Sequence, residues 1–123
     1  MSEKPHQSFT KLEGWRKARI FKNEILELAK QFPQEEKFRL ADQIVRSSRS
    51  INANIAEGDG RFTFKDQVHF CIQARGSLSE TFNHLTDAFD CKYINREQLV
   101  NFTEKINEIE RMLNSYISFL RAK

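Results

Sequence analysis

The side chains best suited to chemistry are three histidines, His6, His69 and His84, two cysteines, Cys71 and Cys91, and the serine-rich run Arg46-Ser47-Ser48-Arg49-Ser50. Zinc sites need closely spaced His/Cys pairs, and the chain has neither HxxxH nor CxxC. His69 and Cys71, two apart, look to different faces of a helix. The predicted helices lack the ExxH pairs of di-iron bundles, and Gly58-Asp59-Gly60 forms no phosphate loop of GxxxxGK or GxGxxG type. Arg61 and His69 are separated by seven residues and Arg75 and His84 by eight, longer than the Arg-x4–6-His spacing of helical ribonuclease domains. Ser47, Ser48 and Ser50 have no histidine within local reach and read as small packing residues. A non-enzymatic protein is expected, with no catalytic residue, metal site or cofactor.

What remains is charge. Lys and Arg number 20 against 17 Asp and Glu, a net +3. Residues 1–61 hold twelve basic and nine acidic side chains, and residues 62–123 eight of each, so the excess lies wholly in the first half. Arg16, Lys17, Arg19 and Lys22 occur with no acid between Trp15 and Asn23, Arg39, Arg46 and Arg49 align at i, i+7, i+10 with Asp42 intervening, and Arg61 and Lys65 border the glycine turn. Guanidinium and ammonium groups in such a patch suit phosphates, with strong salt dependence. The candidate nucleic-acid contacts are therefore Arg16, Lys17, Arg19, Lys22, Arg39, Arg46 and Arg49. No RNP-like aromatic pattern is present, so recognition by shape and backbone is expected. The competing reading is a solvated face that keeps the chain soluble.

Four helices must carry these residues. Four glycines and two prolines are few for a fold of many β-turns. The first helix is predicted over about Lys11–Gln31, with Thr10 and Glu13 at capping-box spacing, Leu12, Trp15, Phe21, Ile25 and Leu28 as its apolar face, and Pro33 as its stop. The second, about Gln34–Glu57, uses Phe38, Ala41, Ile44, Val45, Ser48, Ile51 and Ile55, with Gly58 as C-terminal cap. The third begins after Thr63, with Asp66 in cap spacing, and reaches about Lys92. Its seam of Val68, Cys71, Arg75, Leu78, Phe82, Leu85 and Phe89 steps alternately by three and four. The fourth begins at Asn95, with Gln98 as cap partner, and repeats those steps through Leu99, Phe102, Ile106, Ile109, Leu113, Tyr116 and Leu120. Sustained heptads with short connections predict an all-α fold, an up-down-up-down antiparallel four-helix bundle.

Residues 10–123 are expected to form this single domain and residues 1–9 a flexible tail without the apolar core of a signal peptide. No run approaches the ~18 apolar residues of a membrane span, so no membrane partner and a cytoplasmic location are expected. With Cys71 and Cys91 twenty residues apart on one helix, their separation would be roughly 30 Å, far beyond disulfide reach. Arg75, a cation on an apolar seam, is expected to reach the bundle edge or pair with Glu57 or Glu80; a polar feature fixing register is the alternative. Phe70, Ile72, Met112, Ile117 and Phe119 widen the apolar stripes, as core of a monomer or as an interface between copies.

Four segments carry a family resemblance: Trp15-Arg16-Lys17-Ala18, residues 31–37 (QFPQEEK), residues 50–61 (SINANIAEGDGR) and residues 76–80 (GSLSE). Spread over about residues 9–120, they resemble the small bacterial four-helix bundle proteins encoded in 23S rRNA intervening sequences. The SIxxNIAEGxGR element is the most specific, and it marks Ser50, Ile51, Asn54, Ile55, Ala56, Glu57, Gly58, Gly60 and Arg61 as a structural motif. The resemblance implies an up-down bundle assembled as a homo-oligomer, commonly a pentameric ring, with no catalytic activity. It also implies a likeness to the accessory protein of diversity-generating retroelements, a basic barrel that binds a reverse transcriptase and nucleic acid. Two functions follow as expectations: RNA binding through the basic face, or a scaffold docking a partner such as a reverse transcriptase. Asn52, Asn54 and Glu57 are expected to bond at the junction of the second and third helices.

Overall fold

A computed structural model describes residues 8–123. Of the expected tail, residues 1–7, His6 included, lie outside the described residues; Ser8 and Phe9 belong to a 3-10 turn, Ser8–Lys11. Four α-helices follow: α1 (Glu13–Ala29), α2 (Leu40–Asp59), α3 (Phe64–Asp90) and α4 (Arg96–Arg121), with a second 3-10 turn at Gln34–Glu36. Each packs antiparallel on the next and α4 returns to α1, closing the expected bundle. Phe21, Ile25, Ile44, Ile51, Leu78, Leu85 and Ile109 are wholly buried along its axis, each contributing roughly 1.5–3 kcal/mol of hydrophobic transfer energy. Val68, Cys71, Ile117 and Leu120 form a second cluster at one end.

Two predicted caps are present. Thr63 accepts the Asp66 N–H at 3.1 Å, and Asn95 with Gln98 forms a reciprocal capping box, both bonds 2.8 Å. The third is not: the N-cap of α1 is Leu12, two residues beyond Thr10, with no side-chain cap. The start of α2 also moves. The Glu36 carboxylate accepts the Leu40 N–H at 3.4 Å and the Tyr93 hydroxyl at 2.7 Å, holding residues 34–36 as a 3-10 turn. Arg39 breaks the helical path with φ −118° and ψ −109°, so Phe38, expected in the core, is 85% exposed. The end of α3 is a Schellman motif: Tyr93 N–H donates to Ala88 at 2.8 Å and Lys92 N–H to Phe89 at 2.9 Å, with Lys92 left-handed at φ 65°.

The seam of α4 is as predicted, with Ile117 also buried. Three of the seven α3 seam positions are not. Val68, Cys71, Leu78 and Leu85 are buried, but Ala74, Thr81 and Ala88 take the places expected for Arg75, Phe82 and Phe89. Close approach to α2 explains the shift. The Ser47 and Thr81 hydroxyls lie 2.8 Å apart, and Ser77 donates to Ser50 at 2.9 Å. Gly58 lies inside α2 rather than capping it, and a Cβ there would meet the Phe70 Cβ at 2.8 Å. Only small side chains fit such a seam, so Phe82 and Phe89 turn outward.

Candidate nucleic-acid interface

Asn52 fixes the register of α1 against α2, its Nδ2 donating to the Trp15 carbonyl at 3.0 Å. At about 1.5 Å rise per residue on antiparallel helices, Arg19 then stands level with Ser48 and Arg49, and Lys22 with Val45 and Arg46. The shallow groove lined by Leu26, Ala41 and Val45 keeps the same register. Trp15, Lys22 and Leu26 share the flank of α1 turned to α2. Arg19 lies over the Trp15 ring, 5.7 Å from its centroid, and Phe9 meets that ring edge-on at 5.3 Å. Arg16 donates from Nε to the Thr10 carbonyl at 2.9 Å.

The seven expected contacts do not share one face. Arg16, Arg19, Lys22 and Arg49 lie on or beside the α1–α2 flank. Arg46 joins them but is paired with Asp42 at 3.0 Å. Lys17 points the other way, to α4, with Glu108 at 3.3 Å, beside a Lys105–Glu24 pair. Arg39 sits at the start of α2, ten residues and about 15 Å of helix from Arg49. Among the described residues, no carboxylate lies within ion-pair distance of Arg16, Arg19, Lys22, Arg39 or Arg49. Asn52 as the bridge to α1 was not foreseen; the Trp15–Arg19 platform could have been read from their i, i+4 spacing.

The motif residues divide by direction. Ile51 and Ile55 enter the core, Ser50 faces α3, and Asn54 stays within its helix, donating to the Ser50 carbonyl at 2.9 Å. Ala56 is half-buried. Glu57 pairs with Arg61 at 2.8 Å, and the Arg61 guanidinium covers the Phe70 ring at 4.6 Å. Gly60 is the C-cap of α2, and Gln67 donates to the Arg61 carbonyl at 2.8 Å. Of the expected junction bonds Glu57 makes one, to Arg61 in the turn between α2 and α3, whereas Asn52 reaches α1 and Asn54 stays within α2. Asp59 is buried and accepts from the Ser8 hydroxyl.

The residues weighed for catalysis are dispersed. His69 is exposed against Phe70, while His84 is buried with Glu80 at 3.4 Å from its Nε2. Arg75 donates to the Asn114 side chain at 2.7 Å across α3 and α4 rather than to a carboxylate. Both cysteines are free. Burial pushes the Cys71 thiol up to about 11 against the opposing pull of Arg75. Tyr93 is raised to about 12, chiefly by the hydrogen bond it donates to Glu36. Among the described residues no His/Cys/Asp/Glu group is placed to hold a metal, and no helix is long and apolar enough to cross a membrane. An open cleft of about 600 Å³ between α1 and α4, lined by Trp15, Met112 and Tyr116 among others, gathers none of these groups.

Fold and site together define an all-α four-helix bundle with a basic flank across its first two helices. Residues 10–115 match the family described as 23S rRNA-intervening sequence protein, and the chain belongs to that family. It is also similar to a crystal structure of a protein of unknown function from the S23 ribosomal protein family of Bacteroides thetaiotaomicron. That likeness has 31% identity and a TM-score of 0.79, over 85% of this chain and 95% of that one. No curated protein matches the chain.

Proposed function

We propose that this protein is a non-enzymatic nucleic-acid-binding bundle whose α1–α2 flank grips the phosphate backbone of structured RNA. One observation carries the reading: Arg19 and Arg49 stand at one level of two adjacent helices, with Lys22 about one turn further along α1, and none has a carboxylate partner among the described residues. Other cations on these helices, Lys17 and Arg46, do find acids. An uncompensated cluster is costly to leave unanswered and is released by polyanion binding. Arg16 extends the flank towards the 3-10 turn, and Arg39 offers a further contact at the far end of α2. The family's tie to 23S rRNA intervening sequences supports RNA as the class of partner.

A second observation supports self-association. Ile72, Phe82 and Phe89 are exposed along α3, an apolar row that a second copy would cover, and a pentameric ring would repeat each basic flank and add avidity. The same row suits a docking partner such as a reverse transcriptase. Fluorescence anisotropy with a labelled RNA hairpin over a salt series tests the first reading. Binding that weakens steeply with salt is expected, and no binding at low salt overturns it. Light scattering on a sizing column tests assembly: a multimer is expected, and a strict monomer contradicts the ring.

A further inference from the structure

The opposite composition occurs at the end of the bundle where α2 turns into α3 and α4 finishes. There the sequence runs Arg61-Phe62-Thr63-Phe64-Lys65, and α4 ends Phe119-Leu120-Arg121, followed by Ala122 and Lys123. A groove of about 340 Å³ lies between them, lined by Phe64, Lys65, Val68, Leu120, Arg121 and Lys123. Its floor, Val68 and Leu120, belongs to the small apolar cluster at this end. Phe62 on the adjoining turn is 89% exposed, and Phe64 and Phe119 are 47% and 54% exposed. Lys123 lies over the Phe119 ring at 4.4 Å, and that ring stacks with Tyr116 at 6.1 Å between centroids. Among the described residues no side-chain carboxylate pairs with Lys65, Arg121 or Lys123; Glu57 is taken by Arg61, and Asp66 is the acid nearest in sequence.

Exposed rings beside unpaired cations are an unfavourable surface to leave in water and a favourable one for an unpaired base. The ring offers a π-face to stack on and the cations meet the flanking phosphates. We infer that this end is a stacking platform for unpaired nucleotides of single-stranded RNA, with Phe62 and Phe64 as the stacking rings and Lys65, Arg121 and Lys123 as phosphate contacts. The inference rests on the nucleic-acid reading of the α1–α2 flank and adds to it a second site of different chemistry. A lipid surface would share the cations but calls for an apolar face along one helix lying in the interface. Here Phe64 lines a groove between two helix ends, and Phe62 stands exposed on the turn beside it.

The test uses the full chain and three labelled probes: a duplex RNA, a uridine oligomer of about twelve nucleotides, and the same backbone with abasic sites. The wild type is expected to bind the uridine oligomer about tenfold tighter than the abasic one. Phe62→Ala with Phe64→Ala should erase that difference and leave duplex affinity unchanged, and Phe62→Trp with Phe64→Trp should retain it. Equal affinity of the wild type for both oligomers, or a preference that survives the alanine pair, overturns the platform. If the duplex binds while the oligomers are not distinguished, only the platform falls; if no probe binds, the flank falls with it. Binding to phosphatidylserine vesicles that the alanine pair abolishes, with oligomer binding unaltered, assigns the rings to a membrane and also overturns it.

Discussion

Towards α3, helix α2 presents Ser47, Ser50 and Gly58, which meet Thr81, Ser77 and Phe70 at close range. Towards α1 and solvent it presents Asn52, Arg46 and Arg49, beside Arg19 and Lys22. The first flank is made of small groups whose polar atoms satisfy one another, and its job is to fix the distance and register of two backbones. The second is held by one side-chain bond and carries charge that the described residues do not neutralise. One helix thus builds the fold with one side, and the other is the side proposed to meet nucleic acid. The run Arg46-Ser47-Ser48-Arg49-Ser50 alternates because its serines turn inward and its arginines outward.

The sharpest break of this contrast is at Gly58. Gly58→Val forces its side chain against Phe70, and a loss of about 1–3 kcal/mol in urea unfolding is expected. A loss below ~0.5 kcal/mol, the range of an ordinary surface change, would mean that α2 and α3 are not held closely there. Asn52→Ala removes the bridge to α1 and leaves the Trp15 carbonyl without that donor, an expected loss of about 1–2 kcal/mol in the same assay.

The two flanks were not equally legible. The α4 seam could be read from spacing alone because Phe102, Ile106, Ile109 and Leu113 meet the core with large apolar groups. The α3 seam misleads the same reading. Phe82 and Phe89 are more hydrophobic than Thr81 and Ala88, so spacing by hydrophobicity selects them, but the close approach to α2 admits only the smaller neighbours. The signal lay in the matching small residues, Ser47, Ser48, Ser50 and Gly58 on one helix and Ala74, Ser77, Thr81 and Ala88 on the other. The basic residues were visible as types, but their direction was not. Lys17 and Arg16 are adjacent in sequence, yet only Lys17 turns to α4, and the choice depends on Glu108, some ninety residues away in the chain. Phe38 was misplaced because Glu36 and Tyr93 hold the preceding turn out of the helix.

Smaller effects sharpen the contrast further. Ser47→Ala deletes one hydroxyl of the pair with Thr81, whose own bond to the Ser77 carbonyl at 2.8 Å remains, so a loss of about 1 kcal/mol is expected by thermal unfolding. Lys17→Ala breaks a half-exposed pair with Glu108 and should change stability by less than about 1 kcal/mol. Alkaline pH probes the end cluster instead. Burial raises the Cys71 thiol from its ordinary value of 9.0 to about 11, so between those values the folded chain binds more protons and stability falls as pH rises. Tyr93 and Tyr116, also raised, act in the same direction. Cys71→Ala should flatten part of that fall in pH-dependent urea midpoints, and an unchanged slope would contradict the assignment.

The central claim is that the α1–α2 flank, and not basic charge in general, meets nucleic acid. The most direct test measures the salt dependence of duplex RNA binding for Arg19→Ala/Lys22→Ala/Arg49→Ala beside Lys17→Ala/Lys105→Ala. The first variant should bind more weakly, with a slope of log affinity against log salt shallower by about 2–3, while the second keeps the wild-type slope. Equal slopes for all three proteins, or a larger loss in the second variant, would contradict the claim.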